Sequence, residues 1–222
     1  MAPEAASAAS AVAVRLPGPR DKRRALVFML AFYGLMALIA FVIRGLTFPG
    51  ATSWWPTDDW RVPSWEPMLV ALSVVAIVVL LARPMVRYEW SQRLLRLMQE
   101  TFGRLTIGEA LLIGVVSGIS EEYLFRGALQ PWAGPVIATL LFAVMHAIGY
   151  WWIFALVVGA IAAALYQWSG SLWPCIALHA LINTINLYRQ SRWDADVPEQ
   201  RSTDDAGVAR HVNQAADHAA SG

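Results

Sequence analysis

The stretch Ser117-Gly-Ile-Ser-Glu121-Glu122-Tyr-Leu-Phe-Arg126-Gly127 puts Glu121, Glu122 and Arg126 inside a run that otherwise reads as a membrane-crossing helix. An ionisable side chain near a bilayer centre costs at least ~2.5 kcal/mol on insertion scales, so such groups are paired, face a protein interior or wet cavity, and mark function. Glu122 and Arg126 lie four residues apart, share a helix face and can neutralise one another. Glu121 points about 100° round the axis and lacks that built-in partner. The leftover carboxylate is the candidate for chemistry. A blander reading is that all three side chains form one ion-pair cluster tying helices together.

The rest of the chain supports a membrane setting. Of its 222 residues 57% are hydrophobic and 15% charged, against an apolar share of about 45–50% for ordinary soluble domains. A net charge of +1 with no basic patch beyond the flanks of the apolar runs argues against a nucleic-acid partner. The single cysteine, Cys175, excludes an intrachain disulfide and a cysteine-rich metal site.

Outward from that stretch, the runs have helical length. Residues 1–24 read as a disordered cytoplasmic lead-in ending in Arg20, Lys22, Arg23 and Arg24, followed by a first span, Ala25 to Ile43. That run exceeds a signal-peptide core and no clear small-x-small cleavage site follows it, so the span is expected to be retained. The segment Thr47 to Glu66, with Trp54, Trp55, Trp60 and Trp65, is expected at the outer interface, where indoles prefer the headgroup level. A short second span, Met68 to Ala82, stops at Arg83 and Pro84. Between Tyr88 and Phe102, apolar residues alternate with Arg93, Arg96 and Glu100 at helical spacing, the pattern of a helix lying in the interface plane or packed on protein. Thr106 and Glu109 are spaced as a capping box opening the third span, which Pro131, Gly134 and Pro135 are expected to break. A fourth helix, Val136 to Ile148, contains His146; a fifth, Trp152 to Trp168, is rich in small packing residues; a sixth, Pro174 to Tyr188, carries His179 and Asn183.

The expectation is an all-α polytopic membrane bundle of about six transmembrane helices plus one interfacial amphipathic helix. It divides into the lead-in 1–24, a region 25–105 of two spans with the outer loop and interfacial helix, a four-helix catalytic core 106–189, and a disordered cytoplasmic tail 190–222. The distribution of Lys and Arg puts both termini in the cytoplasm. At 1.5 Å per residue from each outer helix end, Glu121 and His146 lie ~15 Å deep, His179 ~8 Å and Asn183 ~14 Å, so all four can line one cavity. A carboxylate beside an imidazole can activate water as a general base, and a second imidazole with a carboxamide can hold an oxyanion. Together they suit a hydrolase of carbonyl compounds.

Three stretches in this order on separate apolar helices, Glu121-Glu122-Tyr-Leu-Phe-Arg126, Phe142-Ala-Val-Met-His146 and His179-Ala-Leu-Ile-Asn183, resemble the CAAX-protease and bacteriocin-processing (CPBP, Abi) family of intramembrane glutamate endopeptidases. The resemblance covers about Thr106 to Tyr188, including the Gly170-Ser-Leu-Trp-Pro turn. It implies that Glu121 and His146 activate the attacking water, that His179 and Asn183 stabilise the tetrahedral intermediate, and that Glu122 and Arg126 hold the first glutamate's helix in register. It implies no cofactor, and a peptide or membrane-anchored protein as substrate in the cell membrane.

Rival readings remain open on the residues alone. Two His and two Glu could ligate zinc, although no His-Glu-x-x-His spacing occurs. Ser117 or Ser120 could pair with His146 as a serine dyad, although the glycine pattern of a nucleophile elbow is missing. A transport or scaffold protein could use Glu121 as a proton carrier or helix tie. A family member without catalysis, acting in bacteriocin immunity, is a further alternative.

Overall fold

The first apolar run folds as one long helix, α1 (Pro19–Thr47), in a computed structural model that describes residues 17–47, 58–147 and 149–192. Most of the expected lead-in, the outer-loop indoles Trp54 and Trp55, and nearly all of the expected tail lie outside the described residues. The helix starts six residues before the apolar run does, at Pro19 rather than Ala25. Proline is preset for a first turn, and Asp21 complements its dipole there. After a 3₁₀ turn at Asp58–Trp60 comes α2 (Trp65–Met85). It is longer than the run Met68 to Ala82, because Pro67 is tolerated in a first turn and the last turn accepts Arg83 and Pro84. Then follow α3 (Glu89–Phe102), α4 (Ile107–Glu122), a π-helical turn (Tyr123–Leu129), α5 (Gln130–Ala133), α6 (Pro135–Met145), α7 (Trp151–Ser169) and α8 (Trp173–Gln190). The described residues contain no strand.

Among the described residues three helices are long and apolar enough to cross a bilayer: Arg20–Thr47, Trp65–Met85 and Trp151–Ser169. The bent pair α3 and Ile107–Ala133, at 108° to one another, would add a fourth. Large apolar side chains including Phe28, Leu35, Leu46, Leu80 and Val144 point outward. On a soluble protein such a surface would be an aggregation liability; on a membrane helix bundle it meets lipid. The helix α3 turns Leu95, Gln99 and Phe102 inward, towards α1 and α8, and leaves Glu89, Arg93 and Glu100 exposed. It therefore packs on the chain's own bundle.

The expected capping box forms: the Thr106 hydroxyl accepts from the Glu109 N–H, and the Glu109 carboxylate accepts from the Thr106 N–H. Lys22 of α1 reaches the same carboxylate at 2.7 Å, fastening the start of α1 to the start of α4. The other end of α1 is fastened too. Arg44 forms an ion pair with Asp59 at 3.0 Å and donates to the carbonyl of Gly127. That carbonyl is available because residue 131, four positions on, is a proline without an N–H. Pro131 therefore does not end the helix as expected. The preceding turn widens into π geometry, with Gln130 N–H bonding five residues back to Phe125, and the chain breaks later, at Gly134 (φ 85°).

Of the Trp-rich loop, only the part from Asp58 onward is described. Trp65 is exposed, but Trp60 turns into the end of the bundle, where it packs against Tyr123 and Trp173 and its carbonyl accepts from the Trp173 indole at 2.8 Å.

The most extensive helix contact joins α4 to α8. Its cause is the sequence Gly114-Val-Val-Ser-Gly118, a small-xxx-small stripe that lets backbones approach. A Cβ on Gly114 would lie 2.8 Å from the backbone nitrogen of Thr184 and 2.9 Å from the carbonyl of Ala180, and one on Gly118 would lie 2.9 Å from the Ala180 Cβ. Only hydrogens fit. Glu121 and Glu122 stand at the end of α4, on the helix so held against His179 and Asn183.

Candidate active site

Glu122 and Arg126, each 1% exposed, form the buried pair that their spacing allows, with Arg126 Nη1 3.1 Å from Glu122 Oε1. A second guanidinium nitrogen donates to the Gly159 carbonyl at 2.8 Å, and the cation sits 4.7 Å from the centroid of Phe142. Gly159 belongs to the small-residue face of α7, so the pair binds α4 and the π turn to α6 and α7. The same Glu122 oxygen accepts from His179 Nδ1 at 2.8 Å. A carboxylate accepts only, so His179 carries a proton on Nδ1 and turns Nε2 away from the pair.

Glu121 faces the other way. Its Oε2 lies 3.7 Å from Nε2 of His179 and 3.7 Å from Nε2 of His146. Glu121 is buried, and its Oε2 has no hydrogen-bond partner among the described residues. His146 does not lie within a helix as expected; it caps α6. Its backbone N–H bonds back three residues to Ala143, which frees the Phe142 carbonyl, and the ring Nδ1 takes that carbonyl at 2.8 Å. A carbonyl likewise accepts only, so His146 is protonated on Nδ1 and presents Nε2 to Glu121. Leaving the helix axis is what brings this ring to the carboxylate.

Asn183 comes to the same place, one turn along α8 from His179. Its side-chain nitrogen donates to Ser117 Oγ at 2.9 Å, and Ser117 in turn donates to the carbonyl of Gly114 at 3.0 Å. The serine proton is thereby committed to backbone and His146 Nδ1 to its own helix, an arrangement unlike a serine–histidine dyad. Among the described residues no group of three or more His, Cys, Asp and Glu side chains has an arrangement that could hold a metal ion. All six residues singled out in the sequence meet at the junction of α4, α6 and α8.

Sequence reasoning missed two neighbours. Phe142 lies between the polar groups, its ring 4.5 Å from His146 and 5.7 Å from His179, centroid to centroid, as well as under Arg126. Its apolar character hid it. Tyr33 of α1 lines, with Glu121, His146 and Asn183, a cavity of roughly 470 Å³ whose other walls include Phe28, Phe32 and Met36. Its signal was legible: a tyrosine in mid-span lies far from the headgroup belts where this residue collects. A second cavity of about 40 Å³, beside Arg126 and His179, adjoins the site.

With this geometry in hand, the family model of type II CAAX prenyl endopeptidase Rce1-like proteins matches residues 103–185. That range contains all six residues and stops short of α1. The chain is also similar to the uncharacterized protein YpbD of Bacillus subtilis (strain 168), 28% identical over 91 residues, or 39% of this chain and 48% of that one. The match thus spans about half the length of the curated relative. No solved structure matches the chain. Over residues 103–185, then, the chain is similar to the type II CAAX prenyl endopeptidase Rce1-like family, and that match supports the CAAX-protease resemblance read from its motifs.

Proposed function

We propose that the chain is an intramembrane endopeptidase that cleaves a peptide bond of a membrane-anchored substrate with a water activated by Glu121. The observation that carries this reading is the convergence of Glu121 Oε2 and the Nε2 atoms of both histidines at 3.7 Å on the wall of the cavity. With both Nδ1 positions protonated towards fixed acceptors, both Nε2 atoms face the Glu121 carboxylate, that of His146 as an acceptor and that of His179, when it too carries a proton, as a donor. The separation is too long for a direct hydrogen bond and suits a single bridging water, which can donate two protons.

In the proposed reaction, Glu121, assisted by His146, takes a proton from that water as its oxygen bonds to the scissile carbonyl carbon. The carbonyl oxygen becomes an oxyanion, held by the free Nδ2 hydrogen of Asn183 and by His179. To donate, His179 must carry a proton on Nε2 as well as Nδ1, and a carboxylate against Nδ1 is the neighbour such an imidazolium needs. The intermediate collapses by breaking the C–N bond, and the proton gained by Glu121 leaves on the amine. No covalent intermediate forms. Glu122 and Arg126 support the site without touching substrate.

The same reading includes a six-pass arrangement in the cell membrane with both termini cytoplasmic and residues 106–189 as the catalytic core. Here α6 and α8 complete the crossing inside the bundle, and α3 lies at the cytoplasmic interface. The test uses the purified full chain and two quenched-fluorescent peptides, one carrying a farnesylated cysteine four residues from its C-terminus and one identical but unmodified. Glu121→Gln keeps size and removes the base, so cleavage should vanish while the melting temperature holds. Wild-type cleavage by this variant would refute the assignment.

A further inference from the structure

We propose that Tyr33 is a positioning residue of this site: its phenol donates to the Glu121 carboxylate and so keeps Oε2 turned to the two histidines, which makes α1 part of the reaction centre. The inference rests on reading Glu121 as the base.

The first support is position. Tyr33 lies fourteen residues from each end of α1, ~21 Å from either terminus at helical rise. A tyrosine there cannot anchor at a headgroup. It is 8% exposed, and a buried phenol needs a polar partner. The polar side chains beside its hydroxyl are those of Ser117 and Glu121.

The second support is a donor count. Glu121 needs a donor at its carboxylate, because a buried ionised acceptor without one is costly. The Ser117 proton goes to the Gly114 carbonyl. His146 and His179 have their Nδ1 protons on Phe142 and Glu122. Asn183 directs a hydrogen at Ser117. Arg126 is turned to Glu122 and Gly159. Among these neighbours the phenol O–H and the second Nδ2 hydrogen of Asn183 are the donors still uncommitted; the latter is assigned to the oxyanion, and between the serine oxygen and a carboxylate the phenol favours the charged acceptor.

Residues 103–185, the range that the family model matches, do not include Tyr33. The site on this chain is thus completed by a helix outside that range, and α1 is held in place for the task by Lys22 at one end and Arg44 at the other.

The test measures single-turnover cleavage of the same two peptides by the wild type, Glu121→Gln, Tyr33→Phe, a variant with ring-fluorinated tyrosine at position 33, and Leu35→Ala on the outward face of α1. Tyr33→Phe should keep its melting temperature and KM and lose roughly 10- to 100-fold in kcat, the size of one hydrogen bond to a charged group. Fluorinated tyrosine, a donor of the same shape, should restore most of the loss, and Leu35→Ala should behave as wild type. Wild-type kcat in Tyr33→Phe overturns the proposal while leaving Glu121 as base. So does a loss that follows the melting temperature and is not restored by the fluorinated residue. If the wild type shows no Glu121-dependent cleavage of either peptide, the reading of the site falls and the role of Tyr33 falls with it.

Discussion

Replacing Glu122 by glutamine should damage the fold more than replacing Glu121 by glutamine, although the two residues are adjacent and both buried. Arg126 is 1% exposed, and in the variant it keeps the Gly159 carbonyl and the Phe142 ring but loses its counter-charge. Breaking a buried pair costs ~3–5 kcal/mol, since the surviving ion stays desolvated. The glutamine carbonyl can still accept one hydrogen bond, returning ~1 kcal/mol. The net loss is about 2–4 kcal/mol, and at ~2–4 °C per kcal/mol for a unit of this size the melting temperature should fall by roughly 4–16 °C. Glu121 has no such ion pair, so Glu121→Gln should stay within about 1 kcal/mol of wild type. The double variant Glu122→Gln/Arg126→Met removes both charges and should recover most of the loss, because replacing both members of a buried pair is often neutral. Melting curves of the detergent-solubilised proteins measure all three. The reasoning is refuted if Glu122→Gln melts with Glu121→Gln, or if the double variant is no better than the single one.

The remaining predictions concern packing, chemistry and topology. Gly114→Ala puts a methyl group against the backbone of Thr184 and Ala180 and should cost ~1–3 kcal/mol as overpacking, with turnover falling as α4 and α8 separate. Gly34→Ala, where nothing lies within 4 Å, should be neutral or slightly stabilising; equal melting of the two would dismiss the close-approach account. His179→Ala and Asn183→Ala should each lower turnover on the order of 10²-fold in a folded protein, the usual effect of losing one oxyanion donor, and undiminished rates would remove that role. Cysteine introduced at the exposed Val62 should react with membrane-impermeant reagent from outside, and at Arg93 from the cytoplasm, Cys175 being buried and silent. Labelling of position 62 only from the cytoplasmic side would overturn the topology.

Much of the site was legible because charge in an apolar run is costly and spacing fixes faces. The i, i+4 relations of Glu122 with Arg126 and of His179 with Asn183 follow from helix geometry alone, and the capping box at Thr106 is a local signal. What escaped depends on non-local contacts or on backbone exceptions. Pro131 reads as a helix breaker until Arg44, 87 positions earlier, is seen to satisfy the carbonyl it leaves open. His146 reads as helical until its ring claims the Phe142 carbonyl. Trp60 reads as one indole of an interfacial loop, and composition alone does not reveal that Tyr123 and Trp173 pack against it. Tyr33 stands out in the sequence only by its mid-span position, because its neighbours Ser117 and Glu121 lie far along the chain.

The wall that α1 contributes to the cavity bears on how this protein could be cut and recombined. Residues 103–185 carry the carboxylates, the imidazoles and the carboxamide, whereas Phe28, Phe32, Tyr33 and Met36 border the same cavity from a helix outside that range. In a chimera that grafts 103–185 onto the first helix of a relative, the groups proposed to react would travel with the graft and the contour of the chamber contributed by α1 would stay with the host. Preference among substrates is then a property of the junction, and an excised 103–185 fragment would carry a chamber open on one side.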